Sequence, residues 1–193
     1  MSDAKKSDVF YGADAIARLD PKKLGELAEA SERGYVADEG ELPKAIASWH
    51  ERMRKVLEQG QVAVVTVGDD KEVVSMAGFR LIGKTSDGCP VYEAGSSVTL
   101  PEHQKKGYYR QAMERIVAEI QKKAPNAMIV RSTWKSGSKE REKTVKDSCE
   151  AMGFQEIPPD QYAKYIGKTW EALSEEERQG YLEWTYYQLD LAQ

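Results

Sequence analysis

Val98-Thr-Leu-Pro-Glu-His-Gln-Lys-Lys-Gly-Tyr-Tyr-Arg110 decides how the rest of this chain is read. An apolar, strand-like segment runs through Pro101 into the basic turn Gln104-Lys105-Lys106-Gly107. An amphipathic helix follows at once, with Ala112, Met113, Ile116, Val117 and Ile120 on its inward face. The first N–H groups of a helix have no carbonyl partner within it, and the positive end of the helix dipole lies there. A strand, a glycine-bearing turn and a helix start therefore predict a cradle for a diphosphate-bearing ligand.

Upstream of this stretch, apolar runs bounded by turn residues predict three strands. They are Val62–Val67, closed by Gly68-Asp69-Asp70; Val73–Ile82; and Val91–Leu100, entered through Ser86-Asp87-Gly88. Together they read as an antiparallel meander. Two helices precede it. Asp20-Pro21 supplies an N-cap and a first-turn proline, and Leu24, Leu27, Ala28 and Ser31 recur at helical spacing up to Gly34. Ala45, Ile46, Trp49, Met53 and Val56 give the second helix, Leu42–Glu58, one apolar face before Gly60. Val9-Phe10-Tyr11 reads as a short strand at the start. Downstream, Asn126–Trp134 reads as a strand, Ser136-Gly137-Ser138 as a turn, Lys139–Met152 as a helix and Gly153–Ile157 as a short strand stopped by Pro158-Pro159. Ser174-Glu-Glu-Glu177 is a capping box that opens a helix toward Tyr181. Trp184–Leu191 alternates like a closing strand.

The chain has 193 residues, 40% hydrophobic and 31% charged, an ordinary composition for a folded domain. The expectation is one domain over 1–193, with 158–182 as a helical insertion before the last strand. No apolar run approaches a membrane span, and no apolar core follows the charged start Met1–Lys6. Two separated cysteines and two histidines give no metal-ligand spacing. A cytoplasmic chain without metal or membrane attachment is expected. The net charge of −4 is uneven: residues 104–146 hold 12 Lys and Arg against 4 Glu. A basic block that begins at the cradle favours a polyanion, although two solvated helix faces would give the same count.

The order is strand, two helices, meander, helix, strand, helix, strand, insertion and strand. With it, the motifs Thr99-Leu-Pro101-Glu-His-Gln104-Lys-Lys-Gly107-Tyr-Tyr109 and Cys149-Glu-Ala-Met-Gly153-Phe154 resemble the GNAT acyltransferase superfamily over roughly residues 60–157. In that family the first motif is an apolar residue, any residue, Pro, then Arg/Gln-x-x-Gly-x-Gly/Ala. The second resembles the family's Tyr-x-x-x-Gly-Phe. The resemblance implies an α/β fold of acyl-CoA N-acyltransferase type: a mixed, mostly antiparallel sheet with flanking helices, whose splayed strands form a coenzyme A cleft. Two positions depart from the pattern. Tyr109 stands where the phosphate loop has a small residue, and Cys149 stands where the family has a tyrosine that protonates the departing thiolate.

The resemblance implies acetyl-CoA, or another acyl-CoA, as cofactor. Amides of Lys105, Lys106, Gly107, Tyr108, Tyr109 and Arg110 would cap the diphosphate, with Gln104 opening the motif. Backbone of Val98, Thr99 and Leu100 would pair with the pantetheine arm, and an N–H near Val98 or Thr99 would receive the oxyanion. The acceptor would be a primary amine on a small molecule or a protein. Glu93 is the candidate base, directly or through water, against the more ordinary reading of a solvated carboxylate on a sheet face. Cys149 is the second catalytic candidate, as an acid or a nucleophile, against the ordinary reading of a buried packing thiol. Tyr108 and Tyr186 are alternative acids.

Other functions stay open at this level. The same fold could serve as a non-catalytic acyl-CoA-binding or protein-interaction module, and a homo-oligomer is compatible with the sequence. Ile166–Tyr181 locally resembles the second half of an HMG box. Residues 158–193 carry 3 Lys and Arg against 7 Asp and Glu, however, which argues against nucleic acid. That acidity would also suit a cationic acceptor.

Overall fold

The computed structural model describes residues 6–33, 36, 38–135 and 139–192. The helix stop expected at Gly34 and the turn expected at Ser136-Gly137-Ser138 lie outside the described residues. Among the described residues, seven strands form one mixed, mostly antiparallel sheet with flanking helices. They are β1 (Ser7–Tyr11), β2 (Val62–Val67), β3 (Glu72–Lys84), β4 (Pro90–Thr99), β5 (Met128–Trp134), β6 (Gln155–Ile157) and β7 (Trp184–Asp190). Their order across the sheet is β1-β2-β3-β4-β5-β7-β6. The chain divides into two compact units: Met1–Arg80 with Gly95–Glu119, and Leu81–Ala94 with Ile120–Gln193.

The first unit holds α1 (Ala13–Ile16), α2 (Pro21–Glu32), α3 (Leu42–Glu58) and the start of α4 (Tyr108–Lys123). Asp20 caps α2, its carboxylate accepting from the Lys23 N–H at 2.7 Å. Trp49, Met53 and Val56 recur one helical turn apart on α3 and are buried. They pack with Leu27, Val62, Val64 and Met76 in one core. Full burial of a side chain such as Met53 contributes about 1.5–3 kcal/mol. All six residues of β2 are buried, which fits a run that is apolar except for Thr66. β1 pairs antiparallel with β2 from Ser7↔Val67 to Tyr11↔Ala63. β2 pairs antiparallel with β3, with a bulge at Val65/Thr66. Gly78 of β3 is required by space: a Cβ there would lie 2.6 Å from Cγ1 of Val56.

The second unit is built on β5 and β7. β4 pairs parallel with β5 from Val91↔Met128 to Ala94↔Arg131. β5 pairs antiparallel with β7 from Met128↔Asp190 to Trp134↔Trp184, and β6 pairs with the inner part of β7. α5 (Lys139–Glu150) ends two residues earlier than its periodicity suggests. Gly153, at φ 85°, turns the chain there, and its N–H bonds the Glu150 carbonyl at 2.9 Å. The insertion comprises α6 (Pro159–Tyr165), a single turn at Trp170–Ala172 and α7 (Glu175–Leu182). Both halves of the predicted capping box form: Glu177 N–H to Ser174 Oγ at 3.2 Å and Ser174 N–H to Glu177 Oε2 at 2.9 Å. The segment that resembles part of an HMG box is thus a short capped helix feeding a sheet strand. Val91, Val130, Ile157, Tyr162 and Tyr186 form this unit's core.

Candidate active site

The functional residues fall into two groups, one in each unit. In the first unit, Leu100 is buried and Pro101–His103 makes one tight turn. The Gln104 N–H closes that turn on the Pro101 carbonyl at 3.2 Å, and its side-chain amide reaches the Thr99 carbonyl at 3.5 Å. Gln104 therefore ties the turn back to β4. Lys105 (φ 61°) and Gly107 (φ 79°) both adopt the left-handed region. Glycine does so without strain, whereas a residue with a Cβ is held there at a cost of about 1–2 kcal/mol. The Gly107 carbonyl accepts from the Gln111 N–H at 3.1 Å, so Gly107 is the helix cap. The N–H groups that follow it have no carbonyl available inside α4.

The side chains around the turn are mostly engaged. The Lys106 ammonium donates to the Glu102 carbonyl at 3.0 Å, and Arg110 pairs with Glu114 at 2.6 Å. Tyr108 is buried against His103, with ring centroids 6.2 Å apart. Tyr109, the departure from the family's small residue, is half-buried with its hydroxyl out of solvent, so the ring folds into the protein. A Cβ at Gly107 would meet nothing within 4 Å, so the space over the turn is open.

Backbone directions settle which of Val98, Thr99 and Leu100 faces where. The Leu100 N–H donates to the Val74 carbonyl at 2.9 Å, and the Val98 carbonyl accepts from Ser75 Oγ at 3.0 Å. Both residues use the β3 side. Groups alternate along a strand, so Thr99 turns its N–H to the other edge. Ser96, just upstream, is held at φ 53°, a kink within β4 that sequence patterning does not reveal.

In the second unit, Glu93 is buried on β4 and accepts a hydrogen bond from the Tyr162 hydroxyl of α6. The solvated-carboxylate reading of Glu93 is thereby excluded. The Tyr162 ring stacks on Tyr186 of β7, centroids 4.2 Å apart and planes at 22°. The Tyr186 hydroxyl donates to the Tyr181 carbonyl at 3.2 Å. Burial first, then the neighbouring Tyr181 and Glu93, push the Tyr186 phenol well above its usual range, which makes it a poor acid.

Cys149 is fully buried, and the Arg131 guanidinium donates to its sulfur at 3.6 Å. Burial pushes the thiol up, opposed by Arg131, so it stays neutral. A neutral thiol is a weak nucleophile. Tyr187 next to it is raised to about 12, by burial and then by Cys149. Paired residues share a sheet face and successive residues alternate. Glu93 pairs with Val130, and Arg131 pairs with Tyr187. Glu93 and the Arg131–Cys149 pair therefore occupy opposite faces, and the fold does not bring the two catalytic candidates together.

Sequence reasoning missed Tyr162 and a pocket of about 360 Å³ in the second unit. Its walls are the rings of Tyr162, Tyr181, Trp184 and Tyr186, with Ser132 and Glu177 as polar members. One signal was legible: seven of the chain's 17 aromatic residues fall within 158–193. Among the described residues no cluster of His, Cys, Asp and Glu is arranged to hold a metal. No described helix is long and apolar enough to cross a membrane.

No protein-family model matches this sequence, and no curated protein matches it. Solved structures do match, several of them over nearly their whole length. The protein PH1933 of Pyrococcus horikoshii OT3 superposes with a TM-score of 0.62 at 16% identity, covering 96% of this chain and 98% of that one. A GNAT-family acetyltransferase from Staphylococcus aureus Mu50 gives 0.57 at 11%, covering 96% and 99%. Naa50 of Arabidopsis thaliana, in complex with the bisubstrate analogue CoA-Ac-MVNAL, gives 0.55 at 11%, covering 95% and 98%. At such identities the likeness is one of architecture, and the architecture is that of the GNAT acetyltransferases.

Proposed function

We propose that this protein is an N-acetyltransferase that moves an acyl group, most simply acetyl, from acyl-CoA to a primary amine by direct attack. The observation that carries the proposal is the turn from Gln104 into α4. Lys105 and Gly107 adopt the left-handed region, and the space beside Gly107, at the start of the helix, is open. That is the arrangement a diphosphate needs. The likeness in fold to Naa50, whose complex holds a CoA-containing bisubstrate analogue, supports the same cofactor.

In this reading the Thr99 N–H is the donor for the pantetheine arm or the developing oxyanion. The amine nitrogen attacks the thioester carbonyl in its neutral form, and its proton passes to Glu93, directly or through water. Collapse of the tetrahedral species breaks the C–S bond, and the thiolate takes up one proton. That proton comes from solvent, because Cys149, at the position of the family's tyrosine, is buried with a raised thiol on the opposite face of the sheet from Glu93.

The test is acetyl-CoA turnover on a broad panel of amines, read as free CoA thiol and as acetylated product by mass spectrometry. Amine-dependent CoA release with product is expected. Tight CoA binding without turnover on any amine would instead support the non-catalytic acyl-CoA module.

A further inference from the structure

We infer that the aromatic pocket of the second unit binds an organic ammonium group. Its role as an anchor for the acceptor rests on the transfer reading above; the binding itself does not. Four rings converge there. Tyr162 and Tyr186 are stacked, Tyr181 lies 6.3 Å from Tyr162 and 6.4 Å from Tyr186, and Trp184 completes the wall. The faces of such rings carry negative potential and attract cations, tryptophan most strongly. The pocket's size falls within the range of small-molecule sites.

Charge around the pocket points the same way. Glu177 is its one charged lining residue. The Glu93 carboxylate lies at the hydroxyl end of the Tyr162 ring, bonded to that hydroxyl. The protein itself shows the preference at the rim. The Lys168 ammonium sits 5.8 Å over the Tyr181 ring and 3.5 Å from the Glu177 carboxylate. An incoming ammonium would meet the same pair of groups, in partial competition with Lys168. The rings are held before any ligand arrives, because the Tyr186 hydroxyl is fixed on the Tyr181 carbonyl and the Tyr162 hydroxyl on Glu93. Pre-held groups lose little freedom on binding.

The held cation is not the reacting nitrogen. A cage of rings favours the charged form, while attack on a thioester requires the neutral amine. The acceptor class is therefore a molecule with a fixed positive charge besides its reactive amine, such as a diamine or a lysine-containing peptide. Tyr162 links the two functions, since its ring lines the pocket and its hydroxyl holds the candidate base.

The experiment is calorimetric titration of the whole protein, without acyl-CoA, with choline and with its neutral isostere 3,3-dimethylbutan-1-ol. Choline is expected to bind about tenfold more tightly, as ring-held cations do. Trp184→Ala should abolish that preference and Trp184→Phe reduce it. Glu177→Gln should weaken choline binding, and Lys168→Gln, which removes the competing ammonium, should strengthen it. Trp184 and Lys168 are partly exposed, so these variants keep the fold. Equal binding of the two probes, no saturable choline binding, or choline binding unchanged by Trp184→Ala would each overturn the assignment. Choline binding by a protein with no acetyl turnover would leave this inference standing and remove only the transfer reading.

Discussion

A single negative charge placed at residue 107 tests the proposed diphosphate site most directly. Gly107 sits at φ 79°, and a Cβ there meets nothing within 4 Å. Asn and Asp are the non-glycine residues that tolerate this region best, and they are nearly identical in shape. Both substitutions share one conformational cost, about 1 kcal/mol relative to glycine, or a fall of roughly 2–4 °C in Tm for a chain of this size. Only Gly107→Asp adds a charge. A carboxylate about 6 Å from a diphosphate of roughly two negative charges is repelled by about 1.4 kcal/mol in water-like surroundings, and by about twice that if the effective dielectric is halved. That is about 10- to 100-fold in Kd. The assay is calorimetry with acetyl-CoA on wild type, Gly107→Asn and Gly107→Asp, at low ionic strength and near 1 M salt. Wild type and Asn should bind comparably, Asp 10- to 100-fold more weakly, and most of the gap should close when the screening length falls to about 3 Å. Equal affinities for the Asn and Asp variants at low salt would refute the placement of the diphosphate over this turn. So would a wild type that gives no heat.

Other substitutions probe the rest of the site and the core. Glu93→Gln keeps an oxygen that accepts from Tyr162 but removes the basic carboxylate; kcat/KM should fall about 10²–10⁴-fold with little change in Tm. Tyr162→Phe removes a donor to that buried carboxylate and should cost about 1–3 kcal/mol, read by denaturant unfolding. Cys149 has its thiol raised above the ordinary value of 9.0, so the folded state holds the proton longer than the unfolded one. The stability this provides is complete below about pH 9 and is lost as the pH climbs through the raised value. The pH–stability curve of Cys149→Ser should be flatter above pH 9 than that of wild type, and intact-mass analysis should find no acyl group on Cys149 during turnover. Gly78→Ala should destabilise by about 1–3 kcal/mol through the 2.6 Å approach to Val56, and Val56→Ala in the same chain should recover part of the loss.

The elements were legible because their signals are local. α3 spans Leu42–Glu58 as its apolar period predicts, β2 spans Val62–Val67, and both bonds of the Ser174 capping box form where four residues announce them. The turn after Gln104 was legible for the same reason. A proline, a glycine and a helix start at fixed offsets constrain the backbone whatever packs around it.

The surroundings of Glu93 in the second unit were not legible, because they depend on pairs far apart in the chain. Glu93 and Tyr162 are 69 residues apart, and their hydrogen bond exists only because α6 packs on the face of β4 and β5 that carries Glu93. Nothing in the order of elements says that β7 lies between β5 and β6, yet that placement brings Tyr186 under Tyr162, and the β4–β5 register puts Glu93 and the Arg131–Cys149 pair on opposite faces of the sheet. The one-residue alternation along β5 decides that separation, and alternation assigns a face only once the register with both neighbours is known. By itself the sequence determined a strand–turn–helix and the kinds of element around it. The tertiary structure alone decided which carboxylate is buried and bonded, which thiol is silenced by burial, and which aromatic rings close into a pocket. Local preferences act over a few residues; burial and ring stacking arise only when distant segments are folded into contact.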